Sequence, residues 1–291
     1  MKLSIYTFVK AALYLDFHLV DMLKHHLPLA DEIIVDEGYS TDGTYEAIKD
    51  LDPKIKIFRN EWDRSDPKTW SIKYRNRARM NCTGDWCIML DADEFIPEWS
   101  FASLRAQLES AQQPILQLQY LNFYGNYKVF NARPDKFGWP VGKFAIHRNL
   151  PEIAAWGDGA NVRFGDKFNL RDKEIYGDSG IIVHHFGTVR HAARLRQKWR
   201  NQAMRNRHGS GKKPKWDLTP GFLFDAFPHH WDDPDFLEDL QIYEGPYIKA
   251  VLDNPSEFTR DDMVLCKLVK ERQLASHVAV DSQTAETDVL K

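Results

Sequence analysis

The chain has 291 residues, 43% of them hydrophobic and 13% aromatic, which is enough to build a substantial core and excludes a disordered protein. A formal net charge of −3 and a pI near 6.4 argue against nucleic acid as a partner. No apolar run approaches the roughly 20 residues that cross a bilayer, and the N-terminus MKLSIYTFVKAALYLDF is interrupted by polar groups without a small-residue cleavage site, so no signal peptide is expected.

LSIYTFV (3–9) predicts a strand, and apolar residues at helical spacing over 11–26 predict a helix. EIIVDE (32–37) is a second strand, followed by GYSTDGT and a helix over 44–51. KIKIFRN (54–60) makes a third strand, and the polar loop 61–70 leads into a helix over about 71–82. CIML (87–90) is a fourth strand that runs into the acids Asp91, Asp93 and Glu94. Strands alternating with helices imply an α/β protein with a doubly wound, mostly parallel sheet. Ligands of such sheets sit outside the carboxyl ends of the strands. Both GYSTDGT and DADEF fall there.

The middle of the chain is less regular. A helix over 101–111 precedes strand-like pieces, ILQLQYLNFYG, YKVF, KFAIHR and IIVHHF, with Gly, Asp and Trp in the loops between them. This α+β extension would suit a second substrate. A basic helix follows over 189–207, then the linker GSGKKPK, a helical pattern over 221–275 and a tail, 276–291, that reads as disordered. Three cysteines, Cys82, Cys87 and Cys266, lack metal-ligand spacing and predict reduced thiols in a cytoplasmic protein.

Residues two apart on a strand share a side, so Asp91 and Asp93 projecting from a strand end would hold a hard divalent cation through oxygen ligands. Read alone, the same acids serve equally as a helix cap and a solvated carboxylate. VDEGYSTDGT (35–44) shifts that balance. Gly38 and Gly43 allow a tight turn that brings backbone amides to a ligand, and Ser40, Thr41 and Asp42 add hydroxyl and carboxylate groups. A plain turn with an N-cap explains much of the same composition. Two such clusters at the strand ends of one sheet favour a nucleotide and metal site.

VDEGYSTDGT is similar to the V-D-x-G-S-x-D-G-T signature of family-2 nucleotide-sugar glycosyltransferases with the GT-A fold. Arg75-Asn76-Arg77-Ala78, Gly84-Asp85-Trp86 and Leu90-Asp91-Ala92-Asp93-Glu94-Phe95 match the order and spacing of that family's next block. The resemblance spans about residues 3–100. It implies a GT-A-like sheet with an α+β acceptor-side extension and C-terminal helices. The division expected is a nucleotide-sugar half (1–100), an acceptor half (101–206), a linker and helical segment (207–275) and the tail (276–291).

The resemblance also implies roles for individual residues. Asp36 contacts the nucleotide base or ribose, with Ser40 and Asp42 in the same turn. Arg75 and Asn76 position the nucleotide or its sugar, Asp91 lies near the ribose or sugar, and Asp93 ligates Mn²⁺ or Mg²⁺ at the diphosphate. Two departures fall near the base pocket: Tyr39 is an extra residue in the turn, and Ala11-Ala12 stands where related sequences have Asn-Glu.

Breaking a sugar–diphosphate bond builds negative charge on the leaving group, which a cation at Asp93 neutralises. Arg190, Arg194 and Lys198 on the basic helix offer further positive charge, or simply a solvated face. His184-His185 ends a strand, so one imidazole at most faces a given site, and the resemblance favours His185 as a metal ligand. An inverting transfer needs a general base. Asp158, in a Gly-flanked loop after Trp156, is the candidate, with Asp166, Asp172, Glu174 and Asp178 as competitors. His147, His229 and His230 receive no role.

The expected function is thus metal-dependent, inverting transfer from a nucleoside-diphosphate sugar to a glycan or lipid-linked acceptor, in the cell-envelope setting the resemblance implies. The basic helix and Trp199 would suit peripheral contact with a membrane surface. Two alternatives stand beside it: a non-catalytic nucleotide- or carbohydrate-binding protein, and a D-x-D phosphatase with Asp91 as nucleophile.

Overall fold

Leu3–Val9 (β1) is buried along almost its whole length, which requires a strand paired on both edges and covered on both faces. It pairs in parallel with Glu32–Glu37 (β2) on one side and Trp86–Met89 (β4) on the other, and Ile55–Arg59 (β3) extends the sheet beyond β2. The remaining sheet strands are Glu94–Phe95 (β5), Ile115–Asn122 (β6), Gly142–Arg148 (β8) and Tyr176–His185 (β11). The eight-stranded order is β3-β2-β1-β4-β8-β6-β11-β5, with β8 antiparallel to both neighbours and β5 antiparallel to β11. Strand order reverses at β1, so the switch point lies between β1 and β4, where α/β sheets bind ligands.

The coordinates are a computed structural model describing residues 1–63, 65, 69–137, 140–157, 160–166, 169–190, 194–195, 197–198, 238–253, 266–267 and 269–271. The expected linker, most of the basic helix including Trp199, and the tail lie outside the described residues.

Four helices punctuate the first half: Leu19–His26 (α1), Thr44–Ile48 (α2), Trp70–Met80 (α3) and Phe101–Ser110 (α4). The helix expected over 11–26 forms only in its second half. Its first residues are claimed by the loop after β2. The Ala11, Leu13 and Tyr14 amides donate to Ser40 Oγ, Thr44 Oγ1 and Asp42 Oδ2. Ala11 and Asp16 then take positive φ, which no α-helix tolerates. Small strands Val129–Asn131 (β7), Ile153–Trp156 (β9) and Asn161–Phe164 (β10) complete the middle. Leu240–Ile242 (β12) pairs with β7, so this part of the expected helical segment is a strand, and Lys249–Asp253 (α5) follows it. Among the described residues no helix is long and apolar enough to cross a membrane.

The sheet must curl. Met89 and Glu94 are five steps apart, a reach of at most about 18 Å. A flat sheet would separate β4 from β5 by four strand spacings, about 19 Å. The turn carrying Asp91 and Asp93 therefore spans the mouth of the curl.

One buried carboxylate ties the opposite, N-terminal end of the sheet together. Glu32 accepts from Ser4 Oγ at 2.7 Å, Thr83 N at 2.6 Å, Thr83 Oγ1 at 2.8 Å and Lys56 Nζ at 2.6 Å. Burial alone would raise its pKa, but Lys56 and the hydroxyl and amide donors outweigh it and hold it down at about 2, from an ordinary 4.5. A depressed carboxyl contributes stability that is complete above the unfolded pKa and lost as pH falls through the folded one. Glu32→Gln is therefore expected to lower stability at neutral pH and to flatten the decline between about pH 4.5 and 2, read by urea denaturation across that range.

Candidate active site

Strand β4 ends at Met89, and Asp91 to Asp93 form a turn closed by the Glu94 amide donating to Asp91 O at 3.1 Å. The two acids are therefore not alternate residues of a strand, and their side chains part company. Asp91 Oδ1 meets Arg75 Nη2 of α3 at 2.8 Å. Asp93 Oδ2 accepts from Arg190 Nη2 at 2.7 Å and Lys198 Nζ at 3.0 Å, while its Oδ1 faces His185 Nε2 at 3.9 Å. The Phe186 amide donates to Asp93 O at 2.8 Å, locking the turn to the end of β11.

Asp93 is only 3% exposed. Burial pushes its pKa up, but Lys198 and Arg190 together hold it far below the usual carboxylate range. Burial lowers Lys198 and Arg190, the Arg190 charge lowers Lys198 further, and Asp93 pulls both back up. Asp91 is partly exposed, and the Arg75 charge outweighs its desolvation and keeps it ionised. Desolvation lowers His185, favouring neutral imidazole. Its tautomer follows from the network. Asn122 Nδ2 donates to Pro140 O at 3.0 Å, so Asn122 Oδ1 faces His185 Nδ1 at 2.7 Å and accepts its proton. The Nε2 lone pair then points toward the Asp93 carboxylate with no proton between them.

That arrangement fits a divalent cation. Two electron-rich atoms 3.9 Å apart can share one ion with ligand distances of about 2.1 Å, and a histidine that donates its other nitrogen is the usual metal-ligand arrangement. Gly187 keeps the space open, since a Cβ there would lie 2.6 Å from His185 Nε2. Among the described residues no three His, Cys, Asp or Glu side chains cluster as a metal cage.

The loop after β2 supports the same mouth. Gly43 takes φ +87° and opens α2, and Asp42 accepts from the Thr44 hydroxyl at 2.6 Å and the Tyr14 amide at 2.7 Å. Ser40 Oγ accepts from the Ala11 amide, and the Ser40 amide donates to Glu37 Oε1 at 2.6 Å. Tyr39, the extra residue, adopts φ +48° and lies half-exposed under the Arg59 guanidinium at 4.6 Å. Strained non-glycine backbone of this kind concentrates at functional sites.

Asp36 is fully buried and its four acceptor positions are filled. Arg77 donates to both oxygens, Trp62 Nε1 to Oδ1 at 2.9 Å and Asn60 Nδ2 to Oδ2 at 3.4 Å. Trp62 stacks on Phe8 at 5.1 Å and on Tyr74 at 4.9 Å, making an aromatic wall beside the switch point. Arg75 lies over the Phe8 ring at 4.5 Å, and among the described residues its Nε and Nη1 have no hydrogen-bond partner. Asn76 faces the other way, its Oδ1 accepting the Ala155 amide at 2.8 Å. Asp158 lies outside the described residues, just beyond the exposed Trp156. Asp166 and Glu174 are exposed, and Asp178 accepts from Gln119 Nε2 at 2.9 Å.

Residue-by-residue reading missed Arg77, Tyr120, Asn122, Lys143 and Glu94. Only Arg77 carried a signal, two residues after Arg75 on one helix. The others sit in strands whose pairing partners are far away in sequence.

The profile of glycosyl transferase family 2 matches residues 14–193, more than half of the chain. Among solved structures, S. aureus TarS 1-349 is 14% identical with a TM-score of 0.38, over 82% of this chain and 80% of that one. Its complex with UDP-GlcNAc gives the same identity and TM-score over 81% and 79%. Glucosyl-3-phosphoglycerate synthase from Mycobacterium tuberculosis, in complex with Mn²⁺, UDP and glucosyl-3-phosphoglycerate, is 15% identical with a TM-score of 0.39 over 70% and 79%. No curated protein matches the chain at a significant level.

Removing Arg77 strips a buried carboxylate of its charge partner, a loss of about 3 kcal/mol or more. Arg77→Met is expected to lower the unfolding free energy by that amount in chemical denaturation.

Proposed function

Since the chain belongs to glycosyl transferase family 2, we propose that it carries out metal-dependent, inverting transfer of a sugar from a nucleoside-diphosphate sugar to a hydroxyl of a glycan or lipid-linked acceptor. The observation that carries this reading is Asp93, a buried carboxylate with one oxygen on Arg190 and Lys198 and the other facing the His185 lone pair.

As the glycosidic bond breaks, negative charge grows on the departing diphosphate. Asp93 and His185 would hold Mn²⁺ or Mg²⁺, which would supply Lewis-acid neutralisation of that charge. Arg190 and Lys198 already stand at the same carboxylate, so a diphosphate arriving there finds both cations within reach and can take them from Asp93. Arg75 stands beside Asp91, and its buried Nε and Nη1, without hydrogen-bond partners among the described residues, suit it to the ribose or sugar hydroxyls. Asp36 acts on the nucleotide through Arg77 and Trp62, the groups it holds, while Ser40 and Asp42 shape the loop and Asn76 anchors β9 on the acceptor side. The exposed Trp156 offers a face for a sugar ring, and Asp158 in the loop after it would take the acceptor proton. The nucleotide-sugar half is 1–100 and the acceptor half 101–206 in this reading.

Wild-type protein is expected to melt higher with one nucleoside diphosphate plus Mn²⁺ than with the rest of a thermal-shift panel, by about 2.7 kcal/mol of stabilisation at a hundredfold excess over Kd. Asp93→Ala should lose that shift and, with the matching sugar donor, both transfer and donor hydrolysis; wild-type rates in this variant would reject the assignment. The product anomer, read by NMR coupling constants, should have the configuration opposite to the donor's, and retention would remove Asp158 from the base role.

A further inference from the structure

Glu94 follows the two acids yet serves neither of the roles a surface acid would. It is 1% exposed, in β5, and forms an ion pair with Lys143, also 1% exposed. Burying two charges costs several kcal/mol of desolvation, and an apolar pair of similar size is commonly as stable or more so. The position of the pair is therefore more informative than its stability.

Glu94 touches both arms of the candidate site. Oε2 accepts the Asp91 amide at 2.8 Å, together with Lys143, and so holds the turn that aims Asp91 and Asp93. Oε1 accepts the Tyr120 hydroxyl at 2.5 Å. The Tyr120 ring stacks on the His185 imidazole at 5.0 Å with an interplanar angle of 28°. Tyr120 and Asn122 share one face of β6, being two residues apart. His185 is thus gripped by Tyr120 against its ring and Asn122 at Nδ1. Strand register reinforces this, because His185 lies opposite Glu94 on β5 and opposite Asn122 on β6.

We propose that Glu94, with Lys143 and Tyr120, is a positioning unit that fixes the Asp91–Asp93 turn and the His185 imidazole in one relative geometry. The proposal rests on the reading of Asp93 and His185 as cation ligands. Glu94 reaches no reacting atom itself and acts through an amide and a ring. Misplacement of such a site by about 1 Å can cost about a hundredfold in rate, and partners behind metal ligands typically contribute about 10–100-fold in affinity.

The test compares two double variants. Glu94→Met with Lys143→Met removes both charges and the acceptor while keeping volume. Glu94→Gln with Lys143→Met removes the charges but keeps an oxygen for the Asp91 amide. Both are expected to melt within a few degrees of wild type. Calorimetry with Mn²⁺ and inorganic pyrophosphate should show an affinity loss of about 10–100-fold in the Met/Met variant. Its kcat should fall by a similar factor with donor KM within about threefold, and the Gln/Met variant should recover most of both losses. Met/Met binding and turnover within about threefold of wild type, or equal loss in both variants, would overturn the proposal. Tyr120→Phe, which keeps the ring and deletes the hydroxyl, decides the matter if the doubles fail to fold: about a tenfold lower kcat in a folded protein supports positioning, and no change overturns it. A wild type indifferent to Mn²⁺ and pyrophosphate would instead overturn the cation site itself, and the positioning role with it.

Discussion

A carboxylate as buried as Asp93 must find its counter-charges inside the protein, and it draws them, in Arg190 and Lys198, from positions 97 and 105 residues further along the chain. Arg190 and Lys198 arrive from beyond β11, His185 from its end, and the Phe186 amide secures the acid's own carbonyl. Each would be misplaced if β11 did not run alongside β5. The curl of the sheet and the short return of the chain from β4 to β5 are both conditions for this one constellation.

The same economy of charge holds around it. Asp91 has Arg75, Asp36 has Arg77, Glu37 has Arg59 and Glu94 has Lys143. The helix α3 supplies two of these cations from positions two apart, and the strand ends of β2 and the β4–β5 turn supply three of the acids. Ion pairs so arranged contribute little net stability against their desolvation cost. They hold polar groups in defined directions, which the proposed site for a nucleoside diphosphate and a cation would require. Glu32, at the other end of the sheet, does comparable work for the scaffold by joining β1, β2, β3 and the turn before β4.

Much of the first half could be read directly. Period and composition located β1, β2, β3 and α3 within a residue or two, because each is a continuous local run. The helix over 11–26 was half right, since side chains of Ser40, Asp42 and Thr44 take the backbone donors its first turns would have used. Asp91 and Asp93 are expected on one side of a strand, but strand alternation is the wrong geometry for them: they occupy a turn, and their divergence lets one acid serve Arg75 while the other serves Arg190 and Lys198. Glu94, the acid beside them to which the sequence assigned no role, accepts from the Asp91 amide, Lys143 and Tyr120.

What the sequence determined alone was the alternating α/β half, the family, and the identity of the acids at the strand ends, since these depend on spacing within short windows. What only the tertiary structure decided was which charges meet. Lys143, Tyr120 and Asn122 reach Glu94 and His185 through pairings of β5, β6, β8 and β11 that join residues tens of positions apart. No local pattern marks such residues, because a polar side chain on a strand looks the same in sequence whether it faces water or a buried partner. Sheet order and curl make that choice.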